Sequence, residues 1–309
     1  MIAVLDDYQS RAREFADWES LGVPARFLSM HLEGKELVDA LGDCDIVVAM
    51  RERTALPKSL LDELPNLRLI VTTGMANAAI DVAAAHDRNI VVCGTASAAS
   101  GTIEQAWALL LSATKHLPVE DRAMRAGRWQ TTLASDLFGK RLGLIGLGRL
   151  GAGMVPIAKA FSMEVVAWSQ NLTKERAEEV GVELVSKEEL ISTSDVVSIH
   201  LRLSERTTAL VGAHEIAMMK PGALLLNTSR GPIIDEQAMI AALRENRIRA
   251  ALDVYDVEPL PAGHPLTTLD DAVLAPHLGY SSEDNVRSMY RGVVEDIAAF
   301  LAGSPIRVI

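Results

Sequence analysis

Cysteine is scarce in this chain. Two thiols, Cys44 and Cys93, among 309 residues exclude a disulfide framework, and neither belongs to a CxxC pair. The pattern reads as two reduced thiols in a cytoplasmic protein, with no metal site. No uninterrupted apolar run approaches the ~18 residues of a spanning helix. The start, MIAVLDDY, has no basic stretch before its apolar residues, so it does not read as a secretory signal. Positive charge is in deficit: 30 Lys and Arg against 41 Asp and Glu leave a formal net charge of −11. That balance speaks against nucleic acid or an anionic membrane as main partner, because both reward clustered cations. Low-complexity segments and short-period repeats are missing too. With 49% hydrophobic and 23% charged residues, disorder and fibres are excluded. What remains is a globular chain of about two domains at roughly 150 residues each. Such a chain buries a core without disulfides or metals.

Short β-branched runs alternate with helical patterns from end to end. Ile2-Ala3-Val4-Leu5, Ile46-Val47-Val48, Leu69-Ile70-Val71 and Ile90-Val91-Val92 read as buried strands, with helical spacing between them over 35–41, 58–64 and 80–87. A second series follows a long helix whose apolar stripe is Ile103, Ala106, Trp107, Leu110 and Leu111. A polar, basic connection runs from Glu120 to Lys140, and strands follow near 142–145, 165–168, 196–199, 223–226 and 250–254. An amphipathic helix over 283–301 is expected to return to the first unit. Continuous apolar strands separated by helices imply parallel sheets covered on both faces. The expected fold is α/β: two units with parallel sheets, divided near residue 100, and a cleft between them.

The run Leu142 to Gly151 reads strand, then Gly146-x-Gly148-x-x-Gly151, then helix. The first glycine permits a tight turn, the second lets a pyrophosphate approach the backbone, and the third lets helix and strand pack closely. The helix start adds unpaired N–H groups and a positive dipole. An acid normally follows about 20 residues on to bind the adenosine ribose. Here the strand ends Trp168-Ser169-Gln170-Asn171, without a carboxylate. Nothing there repels a 2′-phosphate, so NAD(H) and NADP(H) both remain open. Lys174 and Arg202 stand as phosphate partners or as solvated surface cations.

Three polar segments follow apolar strands: Asn227-Thr228-Ser229-Arg230-Gly231, Asp253 to Pro259, and Ala275-Pro276-His277-Leu278-Gly279. Ligands of open α/β sheets bind beyond the carboxyl ends of strands. An arginine, a carboxylate and a histidine there suit an anion anchor, an orienter and an acid/base.

With these motifs in that order, the whole chain resembles the D-isomer-specific 2-hydroxyacid dehydrogenase family, which includes glyoxylate/hydroxypyruvate reductases and phosphoglycerate dehydrogenases. Gly143-Leu-Ile-Gly-Leu-Gly-Arg-Leu-Gly151, Met219-Lys220-Pro221-Gly222, Asn227 to Gly231, Leu252-Asp253-Val254 with Glu258-Pro259, and Pro276-His277 carry the likeness. The resemblance implies two Rossmann-like domains: 1–99 with 286–309 for substrate, and 100–285 for the dinucleotide. It implies that Arg230 holds the substrate carboxylate and carbonyl, that His277 is the acid/base, and that Glu258 pairs with it. Cofactor contacts are implied at Gly146, Gly148, Arg149, Leu150, Gly151, Ser169, Gln170, His200, Thr207, Thr228, Asp253 and His277. Gly74, Ala76 and Asn77 fall where the family binds substrate. Arg53 is a second cation for that site if Arg51-Glu52-Arg53-Thr54 faces the cleft; otherwise this segment caps the next helix. The implied partners are a small 2-oxo or 2-hydroxy acid and a second copy of the chain as a homodimer.

Ser169 departs from the family's ribose-binding Asp, and Arg202 replaces a proline. An alternative on the same scaffold is an NAD(H)-sensing, corepressor-like binding protein. Formate oxidation ranks below both, because Thr72 to Asp81 shows no polar anchoring loop for so small a substrate.

Overall fold

A computed structural model describes residues 1–309, which form two compact units: Met1–Ala98 with Tyr280–Ile309, and Ala99–Gly279. The chain re-enters the first unit at Tyr280, six residues before the position read from sequence. Asn285 explains the early return. Its side chain accepts the Ala98 N–H at 2.8 Å and donates to the Tyr280 carbonyl at 2.8 Å, tying exit and re-entry together.

The first unit contains β1 (Ile2–Val4), α1 (Ala12–Phe15), β2 (Ala25–Phe27), α2 (Gly34–Leu41), β3 (Ile46–Ala49), α3 (Lys58–Asp62), β4 (Leu69–Thr72), α4 (Val82–Asp87) and β5 (Val91–Gly94). All strand pairs are parallel, in the order β2-β1-β3-β4-β5. Alternation along the strands builds two cores. Ala3, Leu5, Val47 and Ile70 face Leu37, Leu41, Leu60 and Leu61. Ile2, Val4, Val48 and Val71 face Met289, Tyr290, Val293 and Ile297 of the closing helix (Glu283–Leu301). The final helix does cover the first unit.

The second unit runs α5 (Ser100–Thr114), α6 (Leu117–Arg125), β6 (Arg141–Ile145), α7 (Arg149–Ala160), β7 (Glu164–Trp168), α8 (Lys174–Val180), β8 (Glu183–Leu184), α9 (Lys187–Thr193), β9 (Val196–Ile199), α10 (Ala213–Met218), β10 (Leu224–Asn227), α11 (Glu236–Arg244), β11 (Arg249–Leu252) and β12 (Ala272–Leu274). The parallel sheet has the order β12-β11-β10-β9-β6-β7-β8. Strand order reverses between β6 and β9, the point at which doubly wound sheets open to ligand. The α5 stripe of Ala106, Trp107 and Leu110 packs on Leu142, Leu144, Leu224 and Leu226. No helix is long and apolar enough to cross a membrane.

One expectation needs correction. The connection from Glu120 to Lys140, which begins on the last turns of α6, is not wholly polar: Trp129 is 73% exposed, Leu133 93% and Phe138 79%. The edge strands β2 and β8 lie outside the expected set because they are two or three residues long and only partly buried.

Candidate active site

The glycine loop leaves β6 at the switch point. Gly146 has φ 101°, and a β-carbon on it would sit 2.5 Å from the His200 carbonyl oxygen at the end of β9. A β-carbon on Gly151 would fall on the Gly146 carbonyl, so helix and turn touch through hydrogen alone. Gly148 has nothing within 4 Å of its missing side chain. It is also the N-cap of α7 and offers no side-chain cap, so the N–H groups around Arg149 and Leu150 face outward with the helix dipole.

The surrounding chemistry fits a dinucleotide. Thr228 is 7% exposed, and its buried hydroxyl has no partner within the protein. The His200 ring meets the Ser198 hydroxyl at 2.8 Å through Nε2, while its buried Nδ1 is unpartnered. Burial pulls this imidazole down to about 4. Ser169 is half-buried and Gln170 exposed at the end of β7. The Thr207 hydroxyl is already engaged, donating to the Arg202 carbonyl at 2.8 Å and accepting the Ser204 N–H at 2.7 Å. Arg202 is exposed, and Lys174 pairs with Glu178 at 3.8 Å on the surface.

Arg230, Glu258 and His277 follow β10, β11 and β12, which are neighbours in the sheet. Buried Asn227 shapes the first loop, donating to the Arg230 carbonyl at 2.9 Å and accepting the Ser229 N–H at 2.9 Å. Arg230 donates through Nη1 to its neighbour's carbonyl, Ser229, at 2.6 Å. Gly231 then packs so tightly under the Tyr255–Asp256 peptide that a β-carbon would collide with it. Glu258 accepts the Tyr255 N–H at 2.8 Å with Oε1 and contacts His277 Nδ1 at 2.6 Å with Oε2. The Tyr255 hydroxyl donates to the Ala275 carbonyl at 3.0 Å, joining the ends of β11 and β12. Burial pushes that phenol above its ordinary value.

Asp253 is 1% exposed and accepts three hydrogen bonds, from Leu278 N–H at 2.8 Å, Gly279 N–H at 2.8 Å and Gln105 Nε2 at 3.0 Å. Burial raises its carboxyl above the usual range, and the two amides oppose that shift. The residues that sequence reasoning passed over are Tyr255, Thr102 and Gln105. The last two flank the apolar stripe of α5, where polar residues read as ordinary helix surface.

The remaining expected residues lie in the first unit. Gly74 has φ 97°, donates its N–H to Thr95 Oγ1 at 3.0 Å, and lies under the Arg51 guanidinium. Ala76 is exposed. Asn77 spends its side chain on bracing: its amide donates to the Arg51 carbonyl and Thr72 Oγ1, and its Oδ1 accepts the Ala79 N–H. Helix capping by the Arg51–Thr54 segment is overturned. The N-cap of α3 is Pro57, and Thr54 donates instead to Asp6 Oδ2 at 2.7 Å. Arg53 donates to Tyr280 Oη and the Asp6 carbonyl, both at 2.6 Å, with the Tyr8 ring 4.4 Å from its cation. A groove of about 460 Å³ at the β12 edge is lined by His116, Arg122, Arg249 and Asp270 among others, and by none of the expected residues.

Comparison with known proteins adds independent findings. Residues 107–279, all within the second unit, match the family described as D-isomer specific 2-hydroxyacid dehydrogenase, NAD binding domain. The chain is 36% identical over 277 residues to a D-3-phosphoglycerate dehydrogenase of Methanocaldococcus jannaschii, covering 88% of this chain and 52% of that protein. It is 34% identical over 277 residues to a glyoxylate reductase of Korarchaeum cryptofilum, covering 87% and 83%. A crystal structure of a phosphoglycerate oxidoreductase from Vibrio cholerae O395 superposes with a TM-score of 0.92 at 31% identity, covering 98% and 99%. The chain thus spans about half the length of the phosphoglycerate dehydrogenase it matches and most of the glyoxylate reductase.

Proposed function

The chain belongs to the D-isomer-specific 2-hydroxyacid dehydrogenase family, and from that premise we propose that it moves a hydride between NAD(H) or NADP(H) and C2 of a small 2-oxo or D-2-hydroxy acid. One observation carries the reading: the Glu258–His277 pair at 2.6 Å, on the same sheet edge as Arg230 and the glycine loop. In this reading the second unit binds the dinucleotide and the first serves the substrate.

When bound, the nicotinamide supplies or accepts the hydride. Arg230 grips the substrate carboxylate with its planar fork and polarises the C2 carbonyl. A carboxylate can only accept, so His277 donates to Glu258 through Nδ1, and Nε2 becomes the nitrogen that exchanges a proton with the substrate oxygen. In reduction the ring gives that proton as the carbonyl becomes a hydroxyl; in oxidation it takes the proton back. Glu258 fixes the tautomer and stabilises the charged ring. Three of the roughly four lone-pair positions on Asp253 are used, which leaves one for the cofactor's carboxamide. Backbone amides at Ala76 and Asn77, on the turn that Gly74 opens, with the fixed charge of Arg53, serve the anionic end of the substrate.

The same reading makes the protein a homodimer, supported by the exposed Trp129, Leu133 and Phe138. The two free, buried cysteines suit a reducing compartment such as the cytoplasm. The test is a panel of glyoxylate, hydroxypyruvate and other 2-oxo acids, each assayed with NADH and with NADPH. Turnover of one or more is expected. Tight cofactor binding with no turnover of any acid would replace the reading with that of a cofactor-sensing binding protein.

A further inference from the structure

His277 has φ 54°, a left-handed backbone that residues with a side chain adopt infrequently. The contacts that hold this conformation lie just downstream. Asp253 accepts the N–H of Leu278 with one oxygen and that of Gly279 with the other, both at 2.8 Å. The Gly279 carbonyl, in turn, accepts the hydroxyl of Thr102 at 2.9 Å. Gln105 donates to Asp253 Oδ1 at 3.0 Å. Thr102 and Gln105 stand three residues apart on α5 and so share one face of that helix. The two residues after His277 are therefore held at three polar atoms, and α5 supports the arrangement twice: directly through Thr102 and through the buried carboxylate by way of Gln105.

We propose that Thr102 and Gln105 are positioning residues, which hold the His277 loop in the one conformation that brings its imbedded imidazole onto Glu258. The proposal rests on the reading of His277 as the acid/base. Neither residue touches the reacting atoms; each acts on the backbone that carries the ring. Removing either contact lets the loop relax, so the ring loses its register with Glu258 while the glycine loop is undisturbed. A displacement on the ångström scale costs roughly a hundredfold in rate.

The test compares wild type with Thr102→Val, Thr102→Ser and Gln105→Leu. Valine matches the shape of threonine without its hydroxyl, and serine restores the hydroxyl. In Thr102→Val and Gln105→Leu, kcat should fall roughly ten- to a hundredfold, with cofactor affinity by fluorescence titration little changed. Thr102→Ser should keep most of the wild-type kcat. A second readout needs neither cofactor nor turnover: the far-downfield proton resonance of the His277 Nδ1–H, assigned by its loss in Glu258→Gln. It should broaden or move in Thr102→Val and Gln105→Leu and persist in Thr102→Ser. Wild-type kcat and an unchanged resonance in both variants would overturn the proposal. So would a kcat loss matched by lower melting temperature and weaker cofactor binding, with the resonance intact, since that describes a merely structural role. If no 2-oxo acid is turned over but the resonance responds as described, the positioning stands and the catalytic reading falls.

Discussion

One oxygen of Glu258 lies 2.6 Å from Nδ1 of His277, joining the loop after β11 to the loop after β12. Glu258→Gln keeps the shape and an acceptor for the Tyr255 N–H but removes the charge. Reduction should slow about a hundredfold. The check is kcat/KM for reduction, beside cofactor affinity by fluorescence titration and folding by thermal melting. A rate loss matched by a lower melting temperature and weaker cofactor binding would make the contact structural.

Arg230→Lys retains a positive charge and loses the planar, two-pronged donor. Catalytic efficiency should drop by about 3 kcal/mol of transition-state binding, roughly a hundredfold, with cofactor affinity almost unchanged. Intact turnover with weakened cofactor binding would move Arg230 away from the substrate.

Ser169 stands at the end of β7 where an acid would exclude a 2′-phosphate. Wild type should bind both NADH and NADPH measurably, and Ser169→Asp should shift preference to NADH. Fluorescence titration of the two cofactors decides it. A wild-type preference for NADH as strong as that of the aspartate variant would sink the idea.

Burial holds the His200 imidazole near a pKa of about 4, against 6.5 for an unperturbed ring. As pH falls, the unfolded chain takes up this proton first. The stabilisation is therefore complete above about 6.5 and drains away as pH drops toward 4. The contribution is on the order of 1–3 kcal/mol. In urea melts at neutral and acidic pH, His200→Gln should lose less stability on acidification than wild type does. Parallel losses would show that the ring titrates as if in water.

The exposed side chains between α6 and β6 give the proposed dimer its test. Replacing Trp129, Leu133 and Phe138 together by serine should yield a folded monomer by sedimentation, while wild type sediments as a dimer. A variant that stays dimeric would place the interface elsewhere.

The central strands were legible because each is a run of apolar residues buried on both faces. The three site loops were legible because Arg230, Glu258 and His277 keep a recognisable order around strand ends. What escaped the sequence depends on partners far apart in the chain. Arg53 and Tyr280 meet across a separation of 227 residues, so no local pattern shows that this cation is fixed. The Asn77 side chain braces Arg51 and Thr72, a role that no local pattern shows. Thr102 and Gln105 look like surface on an amphipathic helix, and only the fold brings Asp253 to them. The short helix α6 was hidden by charge, since Glu120, Asp121, Arg122 and Arg125 make its exposed face look like a loop.

The contact beneath Gly231 bears on how such a site can be retuned. The loop carrying Arg230 rests on the Tyr255–Asp256 peptide with no side chain between them. The loop that carries Arg230 and the segment leading to Glu258 thus share a single backbone seat, like two jaws cut from one block. A mutational library aimed at new acids can vary Ala76 and its exposed neighbours without touching that seat. A lone methyl at position 231, touching only backbone, would prise the jaws apart and end the search.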